Sequence, residues 1–349
     1  MVADDDAGSP PKLAVIAREA GVSVGTVSKV LNGRPDVSSR TRRAVAEVLE
    51  RQGYPRQRLK PRRGSMVDVV LQGLGSPYAL AILQGIEEAA WRLGVDLVVS
   101  TVVGRTKNGQ PPPAWFDRIR ARDTAGVLLV RTIPTTAQQA WFTDHEVPLV
   151  VVDPRRKPPP GLRVVTSANQ AGARAAVEHL ITLGHQRIAV VTGRPGVPCA
   201  AERLAGYRQA MAAAGLPADP RWRVCGRFKG EESFQVTRSM LTSRPVLPTA
   251  VFACSDDMAG GVIRAIGDLG LRVPDDISVV GFDDSVIAEG FAPPLTTVRQ
   301  PWVELGAAAL TMLLSDDEVR GHVLPTTLVL RGSTAPPGAS APGDVPAPV

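Results

Sequence analysis

The sequence is poor in reactive side chains, with three cysteines and four histidines among 349 residues. Cys199, Cys225 and Cys254 are odd in number, widely spaced and without a C-x-x-C pair. Buried reduced thiols are therefore expected, and neither a disulfide frame nor a metal site. His145, His179, His185 and His322 show no ligand spacing; His179 and His185 flank a helix-to-strand junction, which places them at the surface or in a turn. No apolar run reaches the roughly 18 residues needed to cross a bilayer. The acidic start, with Asp4, Asp5 and Asp6, lacks the basic and apolar regions of a secretory signal. These absences point to the cytoplasm. With 44% hydrophobic and 21% charged residues, the composition is that of a globular chain of two or three domains.

What is present is concentrated near the N-terminus. Leu13, Ile16, Ala17 and Ala20 fall at i, i+3, i+4 and i+7, one apolar face of a helix. Val27, Val30 and Leu31 repeat the spacing, as do Val45, Val48 and Leu49. Gly21 suits a tight turn between the first two helices, because it takes positive φ without a Cβ clash. Ser23 and Ser38 are placed to cap the second and third helices. This is a helix-turn-helix pattern, whose second helix enters a DNA groove. Opposite its core stripe stand Val24, Gly25, Ser28, Lys29 and Asn32, which are small or polar with one cation. A three-helix bundle for protein contacts would show the same stripes, but the charge argues otherwise. Residues 10–63 hold 13 Lys/Arg against 4 Asp/Glu, whereas residues 64–349 hold 27 of each. The excess positive charge thus sits on the small N-terminal unit, as polyanion binding requires.

The segment A-G-V-S-x-x-T-V-S-K-V-L-N, then V-S-x-x-T-R, then G-Y, resembles the lactose/galactose-repressor (LacI-type) family of bacterial transcriptional regulators, and the resemblance extends to about Ser333. It implies that Val24, Gly25 and Lys29 occupy base-reading positions. Ser23, Thr26, Ser28, Asn32 and Thr41 then occupy phosphate-contacting positions, which set register without reading sequence. Lys29 suits guanine O6/N7 and Val24 a thymine methyl, while Gly25 adds no side-chain readout. Between this unit and the body lies a basic, Pro-bounded linker, residues 55–65. Relatives carry a longer stretch with an N-x-x-A-R-x-L core that folds as a hinge helix and wedges a leucine into the minor groove. Here the stretch is about four residues shorter by alignment of the following strand, the Asn and Ala-Arg are missing, and Pro61 interrupts a helix. Leu59 as the wedge, and a flexible tether whose arginines touch phosphates, both remain open.

From Met66 onward, apolar strands alternate with helical stretches. Strands are expected at Val67–Leu71, Leu97–Thr101, Gly126–Val130, Leu149–Val152, Arg187–Thr192, Ala250–Cys254 and Ser278–Phe282. Helices are expected at Leu80–Leu93, Ala171–Leu183, Arg203–Ala214, Met258–Leu269 and Val303–Leu314. Strands apolar on consecutive positions are buried on both faces, hence parallel with crossover helices. The predicted fold class is an all-α helix-turn-helix domain (11–54) followed by an α/β domain (66–333) of two doubly wound parallel-sheet lobes. Lobe 1 is placed at 66–163 and 300–322, and lobe 2 at 164–299 and 323–333. Residues 1–10 and the Pro/Ala/Gly-rich tail, 334–349, are expected to be disordered. Such lobes bind ligand at the carboxyl ends of their strands, in the cleft between them.

The resemblance implies a body like periplasmic sugar-binding proteins, carried by L-G-H-Q-R-I-A-V-V-T-G, R-L-A-G-Y, C-S-D-D-M-A, V-P-D-D-I-S-V-V-G-F-D-D and L-T-T-V-R-Q-P. Asp153 and Asp283 each follow a strand and face the cleft mouth, and Arg203 opens a helix nearby. Carboxylates and a guanidinium make charge-assisted hydrogen bonds to vicinal hydroxyls, as sugar binding needs. The matching effector positions are Asp153, Arg203, Ser255 and Asp283, with Phe228 and Trp302 as apolar faces. The loop Gly75-Ser76-Pro77-Tyr78 completes the shell with Ser76 and Tyr78. Asp283 also reads as a turn cap with Asp284, and Trp302 as core. Sugars, nucleobases and phosphorylated sugars all fit the family scaffold: Asp153 and Asp283 disfavour an anion, whereas Arg203, Arg155 and Arg156 permit one.

Two catalytic lookalikes fail. Gly21-Val22-Ser23-Val24-Gly25 fits G-x-S-x-G, but a helix precedes it where the nucleophile elbow needs a strand. Gly73 to Tyr78, with Asp96, mimics a dinucleotide fingerprint, but Tyr78 stands where a small residue is needed and Asp96 precedes its strand. No enzyme activity and no cofactor are expected. The reading is a ligand-responsive repressor that binds a near-palindromic operator as a homodimer, dimeric because the tail carries no leucine heptads. The alternative is a solute-binding protein without a DNA role.

Overall fold

The computed structural model describes residues 13–31, 37–51, 64–102, 111–315 and 319–338. Three helices form the N-terminal unit: α1 (Leu13–Glu19), α2 (Val24–Leu31) and α3 (Ser39–Arg51). Their facing stripes close over Ile16, Ala17, Val27, Val30, Val45 and Val48, all buried, with Leu13, Ala20 and Leu49 packed alongside. Gly21 takes φ +65° in the turn. The Ser23 hydroxyl accepts from the Thr26 amide (3.1 Å), and the Ser38 hydroxyl from the Thr41 amide (3.2 Å), so both helices start on a side-chain cap.

The body begins with β1 (Met66–Leu71), α4 (Pro77–Leu93), β2 (Asp96–Thr101), α5 (Pro113–Ala121), β3 (Gly126–Val130), α6 (Thr136–Asp144), β4 (Leu149–Val152) and β5 (Arg163–Ser167). It continues with α7 (Asn169–Thr182), β6 (Ile188–Thr192), α8 (Pro198–Ala213), β7 (Arg223–Cys225), α9 (Gly230–Thr242), β8 (Ala250–Ala253), α10 (Asp256–Asp268) and β9 (Ser278–Val280). It closes with β10 (Thr297–Arg299), α11 (Trp302–Leu314), β11 (Gly321–Leu324) and β12 (Thr327–Val329). One six-stranded sheet runs β11-β5-β4-β3-β1-β2 and a four-stranded one β7-β6-β8-β9, parallel throughout. The central strands β3, β6 and β8 are buried at every position, the signature of sheets covered on both faces. A short antiparallel pair, β10 with β12, is joined to the segment that runs on from β9 by single bridges, Val280 with Thr296 and Asp283 with Arg299.

Helices pair across the sheets by close backbone approach. A Cβ on Gly306 of α11 would stand 2.2 Å from the Ile82 carbonyl oxygen of α4. One on Gly206 of α8 would stand 2.3 Å from the Gln170 carbonyl of α7, and one on Gly261 of α10 2.1 Å from the Gly230 carbonyl of α9.

Three expectations are corrected. The lobe boundaries at 163/164 and 322/323 fall too early, because β5 and β11 pair with each other in the first sheet. The chain therefore passes between lobes at Ala168, at Gln300–Pro301 and at Pro325–Thr326. These passages are linked: the Ala168 amide donates to the Leu324 carbonyl (2.8 Å) and the Thr326 hydroxyl to the Ala168 carbonyl (3.4 Å). The tail is ordered further than its composition suggests. Ala335 exchanges two 3.0 Å hydrogen bonds with the Ser278 hydroxyl, and Pro337 lies against Gly184. His185 is buried, not superficial, because this strap covers it: its Nε2 lies 2.9 Å from the Ala335 carbonyl oxygen and its Nδ1 3.0 Å from the Thr249 hydroxyl. The expected disorder of residues 1–10 and 339–349, and nearly all of the 55–65 linker, lie outside the described residues.

Candidate functional site: a DNA-facing helix and an interlobe cleft

Helix α2 is two-faced. Val27 and Val30 are buried, while Val24 is 46% exposed and Gly25 and Lys29 are also exposed. A Cβ on Gly25 would meet only the Ser23 hydroxyl, at 3.7 Å, so this helix surface is open to close approach. The Ser23 and Thr26 hydroxyls bond each other (2.8 Å), as do Ser38 and Thr41 (2.8 Å). Each pair has two hydroxyl protons and spends one on the mutual bond, which leaves one for a phosphate oxygen. Ser28 is half-buried on the same helix. Asn32 and Leu59 lie outside the described residues.

The cleft is built at the carboxyl ends of the parallel strands. Asp153 directly follows β4 with φ +47° and is buried. Arg131 directly follows β3 with φ +57°; its Nη1 is 3.6 Å from an Asp153 carboxylate oxygen, and its guanidinium lies 5.1 Å over the Tyr78 ring. Tyr78, in the first turn of α4, meets Trp302 edge to face at 5.5 Å. Burial, and then the Asp153 charge, hold the Tyr78 hydroxyl well above the usual phenol range. The Tyr78 hydroxyl and the Trp302 indole nitrogen are buried without a hydrogen-bond partner in the protein. Trp302 also packs against the first-lobe core.

Arg203 anchors the second lobe. It lies in the second turn of α8, not at its start, since the helix begins at Pro198. It is 4% exposed and donates to Asn169 (2.9 Å), to the Cys254 carbonyl (2.6 Å) and to Asp283 (3.2 Å). Its guanidinium lies 3.8 Å over the Phe282 ring and 6.0 Å from that of Phe228. Burial is the largest single influence and works against its charge, but the Asp283 carboxylate and smaller contributions from its other neighbours together raise the Arg203 pKa. Asp283, at φ +122°, also accepts from Gln300 (2.6 Å). Burial pushes its pKa up to about 6, against the pull of Arg203 and Gln300. Asp284 turns away to Arg299 (2.6 Å) and Arg331 (2.7 Å), so Asp283 is the cleft carboxylate and Asp284 the structural one.

Ser76 and Ser255 each stand at a helix start. Their hydroxyls cap α4 and α10 by accepting from Ala79 (3.2 Å) and Met258 (3.3 Å). Phe228 adopts φ +62° and covers Gly193, where a Cβ would fall 2.1 Å from its ring. Sequence reasoning missed Arg131, Asn169, Gln300 and Cys199. Arg131 follows its strand as Asp153 does, so position after a strand would have found it. Cys199 and Cys254 are buried with pKa values pushed up to about 11 and about 12, first by desolvation, which leaves them as thiols rather than nucleophiles. Among the described residues, no cluster of His, Cys, Asp and Glu could hold a metal ion, and no helix is long and apolar enough to cross a membrane. The arrangement can grip and orient a polar molecule.

Comparison with known proteins agrees. Residues 12–57 match the family described as bacterial regulatory proteins, lacI family, and residues 177–334 match a periplasmic binding protein-like domain. The chain is 36% identical to the HTH-type transcriptional regulator MalR of Streptomyces coelicolor, over 95% of this chain and 98% of that one. It is 30% identical to the HTH-type transcriptional regulator DegA of Bacillus subtilis, over 92% and 97%. Among solved structures it is similar to a complex of the transcriptional regulator CelR with cellobiose (32% identity, TM-score 0.69, covering 93% and 99%). It is also similar to the lac repressor dimer bound to operator and the anti-inducer ONPF (29% identity, TM-score 0.67, covering 94% and 100%). A two-faced recognition helix ahead of a two-lobed body, matched end to end by regulators, leads to one conclusion: the chain belongs to the LacI family of bacterial transcriptional regulators.

Proposed function

We propose that this protein is a cytoplasmic, non-enzymatic repressor that binds a near-palindromic operator as a homodimer. A small polyhydroxylated effector in the interlobe cleft sets its operator affinity. The observation that carries the DNA reading is the opposition of faces on α2, with Val27 and Val30 buried and Val24, Gly25 and Lys29 turned outward. The two-fold symmetry of a dimer is mirrored in such operators. The cellobiose bound to one relative supports the effector class. So do the buried, unpartnered Tyr78 hydroxyl and Trp302 indole N–H, since an unsatisfied buried polar group costs about 1–3 kcal/mol that a hydroxyl-rich ligand relieves. Ligand closure about the three interlobe passages would shift the paired N-terminal units, a coupling of about 1–3 kcal/mol.

The test is electrophoretic mobility shift on the DNA upstream of the protein's own gene. Lys29→Ala is expected to weaken binding about 5–150-fold, corresponding to about 1–3 kcal/mol for one base contact. Raising salt from about 50 to 200 mM is expected to lower affinity by about 10³–10⁵, as counterions are released. Equal affinity of Lys29→Ala and wild type would overturn the assignment of α2.

A further inference from the structure

The cleft mouth carries more positive charge than its acidic residues neutralise. Arg131 follows β3, Arg155 follows β4 by three residues, and Arg194 follows β6 by two, so all three stand at carboxyl strand ends where the cleft opens. Arg131 is only loosely engaged with Asp153, at 3.6 Å, and Arg203 is fully engaged with Asp283, Asn169 and the Cys254 carbonyl. Arg155 and Arg194 are exposed and make no ion pair among the described residues. The acid near Arg194, Glu232, is already bridged by Lys229 (2.8 Å) and Arg227 (3.9 Å). Arg155 is close enough to Arg131, Arg194 and Arg156 that, after burial, their charges lower its pKa.

One further feature stands on the second-lobe side, four residues beyond Arg194. Helix α8, 16 residues long, starts at Pro198 with Val197 as its cap and no side-chain acceptor for its first amides. An uncapped helix start beside guanidinium groups is a ready anion site.

We propose that the effector carries a phosphate or carboxylate that docks between Arg131 and Arg155 on the first lobe and Arg194 and the α8 N-terminus on the second. The anion draws the two cationic rims together, so it drives closure as well as recognition. This inference rests on the effector reading of the cleft and narrows its ligand to acidic sugars.

The experiment is thermal unfolding of the full chain at fixed ionic strength. The probes are inorganic phosphate and the pairs glucose/glucose 6-phosphate, ribose/ribose 5-phosphate and galactose/galacturonate. Inorganic phosphate near saturation, or an anionic pair member, is expected to raise the midpoint by about 2–4 °C over a chloride control. The phosphorylated and carboxylated arms distinguish the two sources of charge. In Arg155→Ala/Arg194→Ala that shift disappears, while the unliganded midpoint stays within about 1 °C of wild type, since both side chains are exposed. Three results would each overturn the inference: no shift with any anion, a shift that survives in the double variant, or a shift with the neutral members alone. The last leaves the effector reading intact, and the mobility-shift assay reports separately on DNA binding.

Discussion

Arg203→Ala tests how the second lobe is held. The wild-type guanidinium is 4% exposed and satisfies three acceptors, and its partner Asp283 has only 20% of its side chain in contact with solvent. Removing one member of such a buried pair leaves an uncompensated charge and costs about 3–5 kcal/mol. For a body of this size each kcal/mol moves the midpoint by about 2–4 °C, so a fall of about 6–20 °C is expected. The comparison variant is Arg203→Ala/Asp283→Asn, in which the stranded carboxylate becomes an amide that still accepts from Gln300. The double variant is expected to regain about 1–3 kcal/mol, because the penalty of the lone carboxylate is gone. Thermal unfolding followed by circular dichroism at pH 7.5 reads both. A fall below about 3 °C for the single variant, or no recovery in the double, would refute the claim that Arg203 neutralises Asp283.

Asp256 is wholly buried and accepts from Thr297 (2.5 Å) and twice from Ser285 (2.7 and 3.0 Å), yet burial and the nearby Asp283 push its pKa up to about 7. Its folded pKa thus lies above the unfolded value, so the folded chain holds an extra proton between about pH 4 and 7 and loses stability as pH rises through that window. At about 1.4 kcal/mol per unit, wild type is expected to lose about 2 kcal/mol more than Asp256→Asn between pH 5.5 and 8, as read by urea unfolding; parallel curves would contradict this. Gly306→Ala is expected to cost about 1–3 kcal/mol by forcing α11 from α4, whereas Gly267→Ala in α10, with open space at its Cβ, is expected to be neutral or to stabilise by up to about 1 kcal/mol. Urea midpoints that moved together would show that backbone proximity is not what separates the two sites.

The N-terminal unit was legible because its stripes have a helical period and its caps are local: Ser23 and Ser38 need only the amides three residues on. The buried strands were legible as runs of consecutive apolar residues. The strands β5, β7, β10, β11 and β12 were not, since each sets at most two consecutive apolar residues beside polar or charged neighbours. Asp153 and Asp283 were legible as residues after strands. The occupation of Ser76 and Ser255 as caps was not, because an N-cap serine and a ligand-binding serine share one sequence position. His185 misled because its burial comes from a strap at residues 334–338, about 150 positions away, whose composition looks like disorder.

The three interlobe passages govern how the body moves. A single tether would let one lobe swivel in any direction, and two would define an axle with free play along it. Three side-by-side crossings, cross-linked where Ala168 meets Leu324 and Thr326, resist torsion and shear and yield chiefly to bending about one line. Occupancy of the cleft is thereby converted into a single mechanical coordinate, so chemically different effectors all report through the same stroke and differ only in how far along it they hold the protein.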